Sequence, residues 1–342
     1  MGKFVGWIKH PLVLVTILYL LFYALRFQQA VPAGRQGGWE IEINLFHTLR
    51  QTLGEKIDAL LPSPKSQLLF GILLGEKKEL PAQIKLALRD TSTLHIVVVS
   101  GQNLSILAGF FWALSGLIKR RYANILALLA TIFYTLLTGA QVPVLRAMLM
   151  VSLAMFAQSI GRPRDGFWVL MMTAGLMLLV NPRWIIDLSF QLSFMATMGL
   201  IVVAPILLKW LKSFPLIGQD LAITSGAQLM VVPIIAQYFH QFSLVGILTN
   251  VLVGWTIPIV MILGVPMLVF SFISQFLAQF FALLINILLT YFIYIVQFFA
   301  SLPFAWEYVG EQVWIVWLGY YLILAAVVLS LNNGKAENLK RP

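Results

Sequence analysis

Cysteine is absent from the 342 residues, and charge is scarce: Asp, Glu, Lys and Arg make up 11% of the chain, against about 25% in soluble proteins. The first absence excludes a disulfide scaffold, an iron-sulfur cluster and any thiolate nucleophile or metal ligand. Histidine numbers 4, widely separated, which predicts no His-rich metal centre, and no cofactor is implied. No Gly-x-x-x-x-Gly-Lys run occurs, so the chain carries no P-loop for nucleotide. The scarcity of charge leaves too little polar surface to solvate a globule, and it excludes disorder and coiled coil as well.

What remains is hydrophobic, at 60% of the residues, and it is spread along the chain rather than confined to one anchor. The sequence predicts an all-α polytopic membrane protein. A window of about 20 residues per crossing gives about ten transmembrane helices. They fall near 11–27, 94–118, 122–139, 142–160, 166–181, 184–208, 220–239, 243–272, 275–301 and 312–331. The expected division is an N-terminal transmembrane helix over 1–27, an extracytoplasmic segment over 28–93, a transmembrane domain over 94–331 and a tail over 332–342. Lys3 and Lys9 before an apolar run also suit a signal peptide, but no small-x-small site follows, and an uncleaved signal anchor is expected.

A net charge of +10 suggests a polyanionic ligand until the cations are placed. With a cytoplasmic amino terminus, the inner loops and tails collect Lys3, Lys9, Lys119, Arg120, Arg121, Arg162, Arg164, Lys209, Lys212, Lys335, Lys340 and Arg341, and the short outer loops only Arg183. That asymmetry is the positive-inside rule, and both termini are expected in the cytoplasm. The segment 28–93 holds a Gly-rich turn over 34–38 and two amphipathic stretches, 45–61 and 82–89. Leu45, Leu49, Leu53, Ile57, Leu60 and Leu61 recur at helical spacing, as in a helix packed on the bundle or lying in the membrane interface.

Ionisable and amide side chains persist in hydrocarbon chiefly where they face a bundle interior or a wet cavity. In the second span, His95, Ser100, Gly101, Gln102 and Asn103 surround a β-branched run, which predicts a broken or re-entrant element at Gly101. The fourth span carries Pro143 and one buried cation, Arg146. The sixth carries Asp187 and Gln191 on one helical face, making Asp187 the candidate counter-ion of Arg146 in a structural pair; direct contact of Arg146 with a transported phosphate is the competing reading. Gln228, Pro233, Gln237 and His240 mark the seventh span, and Asn250, Pro258 and Pro266 the eighth, with kinks expected at Pro143, Pro233 and Pro258. Each amide alone is more often interhelical glue than a pore ligand.

At these residues the chain resembles the membrane-channel domain of the ComEC-type competence family, bacterial inner-membrane proteins that take up single-stranded DNA. Four blocks carry the resemblance: Leu94-His95 to Ser100-Gly101, Thr138-Gly139 to Arg146-Ala147, Asn181-Pro182 to Phe190-Gln191-Leu192-Ser193-Phe194, and Gln228 through Pro233 and His240 to Asn250. Leu73-Leu74-Gly75-Glu76 and Ala87-Leu88-Arg89 look like the family's approach to its first core helix. The resemblance implies a channel in the lipid bilayer of the inner membrane that passes single-stranded DNA during natural transformation. His95, Ser100, Gly101, Gln102, Asn103, Arg146, Gln191, Gln228 and Asn250 would lie along its path.

It also implies an outer DNA receptor and a cytoplasmic motor ATPase as partners, and a homodimer as one possible assembly. Longer members carry an OB-fold insert and a metallo-β-lactamase-like domain, which this sequence is not expected to hold, so no nuclease activity follows. Asn103 stands where many members have a second His. A secondary transporter of a small solute or lipid-linked sugar and an inactive paralogue are the alternatives. A serine hydrolase built on Ser100 with His95 or His240 fits poorly, because a helix does not bring positions 95 and 100 face to face.

Overall fold

The computed structural model describes residues 16, 19–24, 26 and 46–338, apart from 76–79, 98, 162–164, 215–216 and 311. The turn expected over 34–38, Glu76 of the approach block, the inner cations Arg162 and Arg164 and most of the first span lie outside the described residues. The described residues are 82% helical. Its helices are α1 (His47–Leu60), α2 (Lys65–Leu74), α3 (Ala82–Asp90), α4 (Gly101–Ala113), α5 (Arg120–Leu137), α6 (Val142–Ser159) and α7 (Gly166–Val180). Then come α8 (Leu188–Met198), α9 (Ala204–Trp210), α10 (Gly218–Phe239), α11 (Gly246–Gly254), α12 (Thr256–Phe270), α13 (Gln275–Ala300) and α14 (Trp314–Asn338). Two three-residue strands, β1 (Gln241–Ser243) and β2 (Trp306–Tyr308), pair antiparallel with Gln241 opposite Tyr308.

Among the described residues, six helical segments are long and apolar enough to cross a membrane: 142–159, 188–213, 218–239, 246–270, 275–300 and 314–331. The count of ten expected from hydropathy is therefore not reached, for local reasons. α4 has 13 residues, about 20 Å at 1.5 Å per residue, against a hydrocarbon thickness of about 30 Å. α7 has 15 residues, and α5 opens on Arg120-Arg121. The apolar span ends at Leu331, as expected, while the helix continues to Asn338; the last four residues lie outside the described ones.

Local chemistry sets the helix boundaries. Asp165 caps α7 by accepting from the backbone N–H groups of Phe167 and Trp168, at 2.9 and 3.3 Å. Proline does three different things. Pro143 sits in the first turn of α6, where its missing N–H costs nothing, so it starts that helix rather than kinking it. Pro258 cannot donate to the carbonyl of Gly254, and the chain breaks at Trp255 between α11 and α12. Pro205, just inside α9, follows a π-helical turn over Gly199–Val203, while Pro233 lies inside an α10 that continues through it. At that π turn the chain presses against α10: a Cβ on Gly199 would stand 2.1 Å from the carbonyl oxygen of Gly226.

The largest apolar cluster joins α2 to α12 and α13, with Leu68, Leu69, Phe70, Ile72, Leu73 and Leu74 at most 4% exposed. A four-residue turn links α12 and α13 into a hairpin, and α1, α2 and α3 pack along it. Lys56 lies 5.3 Å over the Phe272 ring at the hairpin's turn. Lys65 Nζ donates to Asn286 Oδ1 at 2.8 Å midway along α13, and Ser92 meets Gly246 and Asn250 beyond the other end of α12. Packing of α1 against the bundle is one of the two roles expected of its leucine spacing. At the amino end, Tyr19, Tyr23 and Arg26 bond to the carbonyls of Gly175, Pro182 and Val180, holding residues 19–26 against α7.

Candidate functional site

A short helix buried in an apolar interior has a problem at its carboxyl end: its last carbonyls have no intrahelical donors. α2 resolves it with two borrowed side chains. Gly75 takes a left-handed conformation (φ 76°) and its carbonyl accepts from Gln141 Nε2, while Asn103 Nδ2 donates to the carbonyl of Ile72 at 2.9 Å. A Cβ on Gly75 would stand 2.9 Å from Val99 Cγ2 and 3.4 Å from Thr138 Cβ. Three chain breaks thus meet at one place: the end of α2, the start of α4 and the turn between α5 and α6.

The approach to α4 is a 3-10 turn over Leu94–Ile96, followed by non-helical Val99 and Ser100, and the helix begins at Gly101. Ser100 Oγ donates to Asn103 Oδ1 at 3.2 Å. Asn103 is 1% exposed with both ends of its amide used, so it locks the junction and does not line a wet path. Gln102 beside it is exposed.

Arg146 enters from α6. A Cβ on Gly101 would lie 2.9 Å from Arg146 Nη2, so the missing side chain is what admits the guanidinium to the amino end of α4. The residue is 8% exposed, its Nε has no hydrogen-bond partner, and the nearest compensation shown is the Phe194 ring, 5.9 Å from Cζ. The expected ion pair with Asp187 is not formed. Asp187 is the N-cap of α8, accepting from Phe190 N at 2.9 Å; spacing along the chain does not distinguish a capping carboxylate from a counter-ion. Among the described residues the salt bridge formed is Arg89 to Asp90. Arg146 is thus a buried cation at the positive end of a helix, without a carboxylate partner among the described residues.

A second buried cation, absent from the sequence reading, reaches the same turn. Arg50 of α1 is 9% exposed, its Nε also lacks a partner, and its Nη1 lies 3.1 Å from where a Cβ on Gly139 would stand. The signal was in the wrong stripe. The buried face of α1 is Arg50, Gly54 and Ile57, whereas Leu49, one of the leucines that mark its apolar spacing, is exposed.

The remaining candidates separate. Ser92, at φ 57°, presents its carbonyl to His95 Nδ1 at 3.0 Å and to Asn250 Nδ2 at 3.4 Å, bringing two of them together. A ring nitrogen facing a carbonyl carries the proton, which leaves His95 Nε2 as the outward nitrogen. Gln191 Nε2 donates to Ile185 O at 2.9 Å, tying α8 to its own approach. Gln228 is half-buried on α10, and Gln237 accepts from Trp317 Nε1 at 2.8 Å, which joins α10 to α14. His240 ends α10 in a left-handed conformation. Neither His95 nor His240 bonds to Ser100. No cluster of His, Asp and Glu able to hold a metal occurs among the described residues.

Comparison with known proteins places this geometry. The chain is 30% identical over 207 residues to the ComE operon protein 3 of Bacillus subtilis (strain 168), covering 60% of this chain and 26% of that protein. It is 28% identical over 238 residues to the uncharacterized protein YcaI of Escherichia coli (strain K12), covering 64% and 30%. An uncharacterized protein of Aquifex aeolicus (strain VF5) is 32% identical over 187 residues, covering 54% and 43%. The chain thus spans less than half the length of these relatives. No solved structure matches. The Competence protein family matches residues 72–333, which takes in α4 to α13 and the whole junction except α1 and the start of α2. The chain is a multi-pass membrane protein that belongs to the Competence protein family.

Proposed function

We propose that the chain forms a passage for single-stranded DNA across the cytoplasmic membrane during natural transformation, with Arg146 at the junction of α2, α4 and α6 on the strand's route. The observation that carries this reading is Arg146 itself: buried, without a carboxylate partner among the described residues, and admitted to the amino end of α4 by Gly101. An uncompensated ion in an apolar interior costs several kcal/mol, and such a site persists where it serves an anion. Membership of the Competence protein family and the likeness to a ComE operon protein support a DNA strand as that anion.

The chain acts in this reading as a conduit and not an enzyme. Ser100 is held by Asn103 and has no histidine base, and Asn103, Asp187 and Gln191 serve as caps and ties. Few cations line the path, which suits passage, since tight phosphate contacts would stall a moving strand. Energy then comes from a cytoplasmic motor ATPase, and the strand from an outer DNA receptor. The distribution of Lys and Arg supports a cytoplasmic position for both termini.

A passage for a small anion is the second reading, favoured by the same isolated guanidinium. DNase-protected uptake of labelled DNA in a deletion strain, with and without the chain restored, decides between them. Uptake lost on deletion and regained on restoration supports the strand; unchanged uptake, with anion flux in proteoliposomes dependent on Arg146, supports the small anion.

A further inference from the structure

The strand reading gives Arg146 a role and leaves Arg50 without one. Arg50 comes from α1, outside the matched family region, yet it joins the same turn: its Nη1 approaches Gly139, in the turn that leads through Gln141 into α6 and on to Arg146. From Gln141 to Arg146 is five residues, about 7 Å of helical rise. Both residues are at most 9% exposed, both have an Nε without a partner, and neither forms an ion pair with any described residue.

Desolvation works against each of these cations, because each is buried without a carboxylate partner among the described residues. Three of the described carboxylates are used elsewhere. Asp187 caps α8, Asp165 caps α7, and Asp90 pairs with Arg89. What the arrangement lacks is an acceptor with planar, bidentate oxygen geometry, and a guanidinium fork is matched to phosphate oxygens in that way. A phosphodiester offers two non-bridging oxygens and one charge, and an extended strand offers such groups in series.

We propose that Arg50 and Arg146 together form a phosphodiester-binding step, each guanidinium taking one backbone phosphate of a strand that passes the junction. The inference rests on the single-strand reading above and adds to it a second binding residue, its ligand chemistry and a function for α1.

The test uses the full chain in nanodiscs of phosphatidylcholine and a fluorescein-labelled oligothymidylate, with affinity measured by anisotropy across a salt series. For single strands the slope of log K against log salt falls by about 0.7 for each phosphate that is no longer neutralised. Arg50→Gln and Arg146→Gln should each reduce the slope by about that amount, and the double variant by about twice it. Arg50→Lys should keep the slope and bind more weakly, since charge remains and the fork does not.

A strand with methylphosphonate in place of its phosphates reads the same interactions with the protein unaltered. It should bind the wild type and the double variant alike, so a variant that fails to fold does not block the test. Wild-type slopes in both Gln variants would overturn the proposal while the strand reading stands. No binding of any strand by the wild type, together with Arg50-dependent retention of phosphatidylglycerol when that lipid is included, would assign the site to a lipid headgroup and overturn it too. Loss of strand binding together with unchanged cellular uptake on deletion would instead remove the strand reading beneath it.

Discussion

Replacing Arg146 by methionine separates a cation kept for stability from one kept for a ligand. Methionine is unbranched, fills much of the same space and carries no charge. Two contributions change sign against each other. The variant gives up the attraction between the guanidinium and the Phe194 ring, about 0.5–2 kcal/mol. It also relieves the burial of a guanidinium that is 8% exposed and has no carboxylate, an effective penalty of several kcal/mol. The net expectation is a protein unchanged or more stable by up to about 4 kcal/mol, the range seen when hydrophobic residues replace buried charge.

The assay is reversible unfolding in mixed micelles, in phosphate-free buffer and without anionic lipid, so that no ligand stabilises the wild type. DNA uptake is measured in parallel and should be lost. Destabilisation by about 3–5 kcal/mol would refute the reasoning, because that is the cost of breaking a buried pair and would mean that Arg146 has a structural partner.

Asp187→Ala should destabilise by about 0.5–2 kcal/mol and Asp187→Asn by much less, because asparagine keeps the oxygen that accepts from Phe190 N; equal losses on thermal unfolding would restore a role for the charge. Gly199→Ala should cost about 1–3 kcal/mol or prevent folding, since its Cβ meets the Gly226 carbonyl, and a wild-type melting temperature would place the crossing of the π turn and α10 elsewhere. Gly101→Leu should displace the guanidinium of Arg146 and abolish uptake while the protein still inserts, as read by membrane fractionation; normal uptake would remove this contact from the route.

Long apolar runs were legible in the sequence because a membrane-crossing helix has to be continuous: 218–239 and 275–300 match their expected spans within two residues. α2 was not, because ten residues fall below any spanning window, and its all-round apolar run reads as a fragment of a polar segment. The break before α4 was readable from Ser100-Gly101 and the β-branched residues ahead of it. Its closing partners were not, since the Gln141 to Gly75 and Asn103 to Ile72 bonds join residues 66 and 31 positions apart.

Arg146 stood out as a charge in an apolar run, but its partner was assigned from sequence availability, and the nearest suitable carboxylate was already needed to start a helix. Arg50 stayed hidden because the leucines of α1 suggest one buried face and the structure buries another.

The absence of cysteine from the chain permits the most direct test of the strand's route. A single cysteine at Gln102, an exposed position beside Gly101, would carry a photoreactive group, with Leu322, 62% exposed on α14, as the lipid-facing control. Cells are illuminated while labelled DNA is held mid-passage. The account predicts that the strand crosslinks at position 102 and not at 322, and that the adduct disappears in Arg146→Met. A strand that crosslinks at 322, or that passes at the normal rate without touching 102, would contradict it.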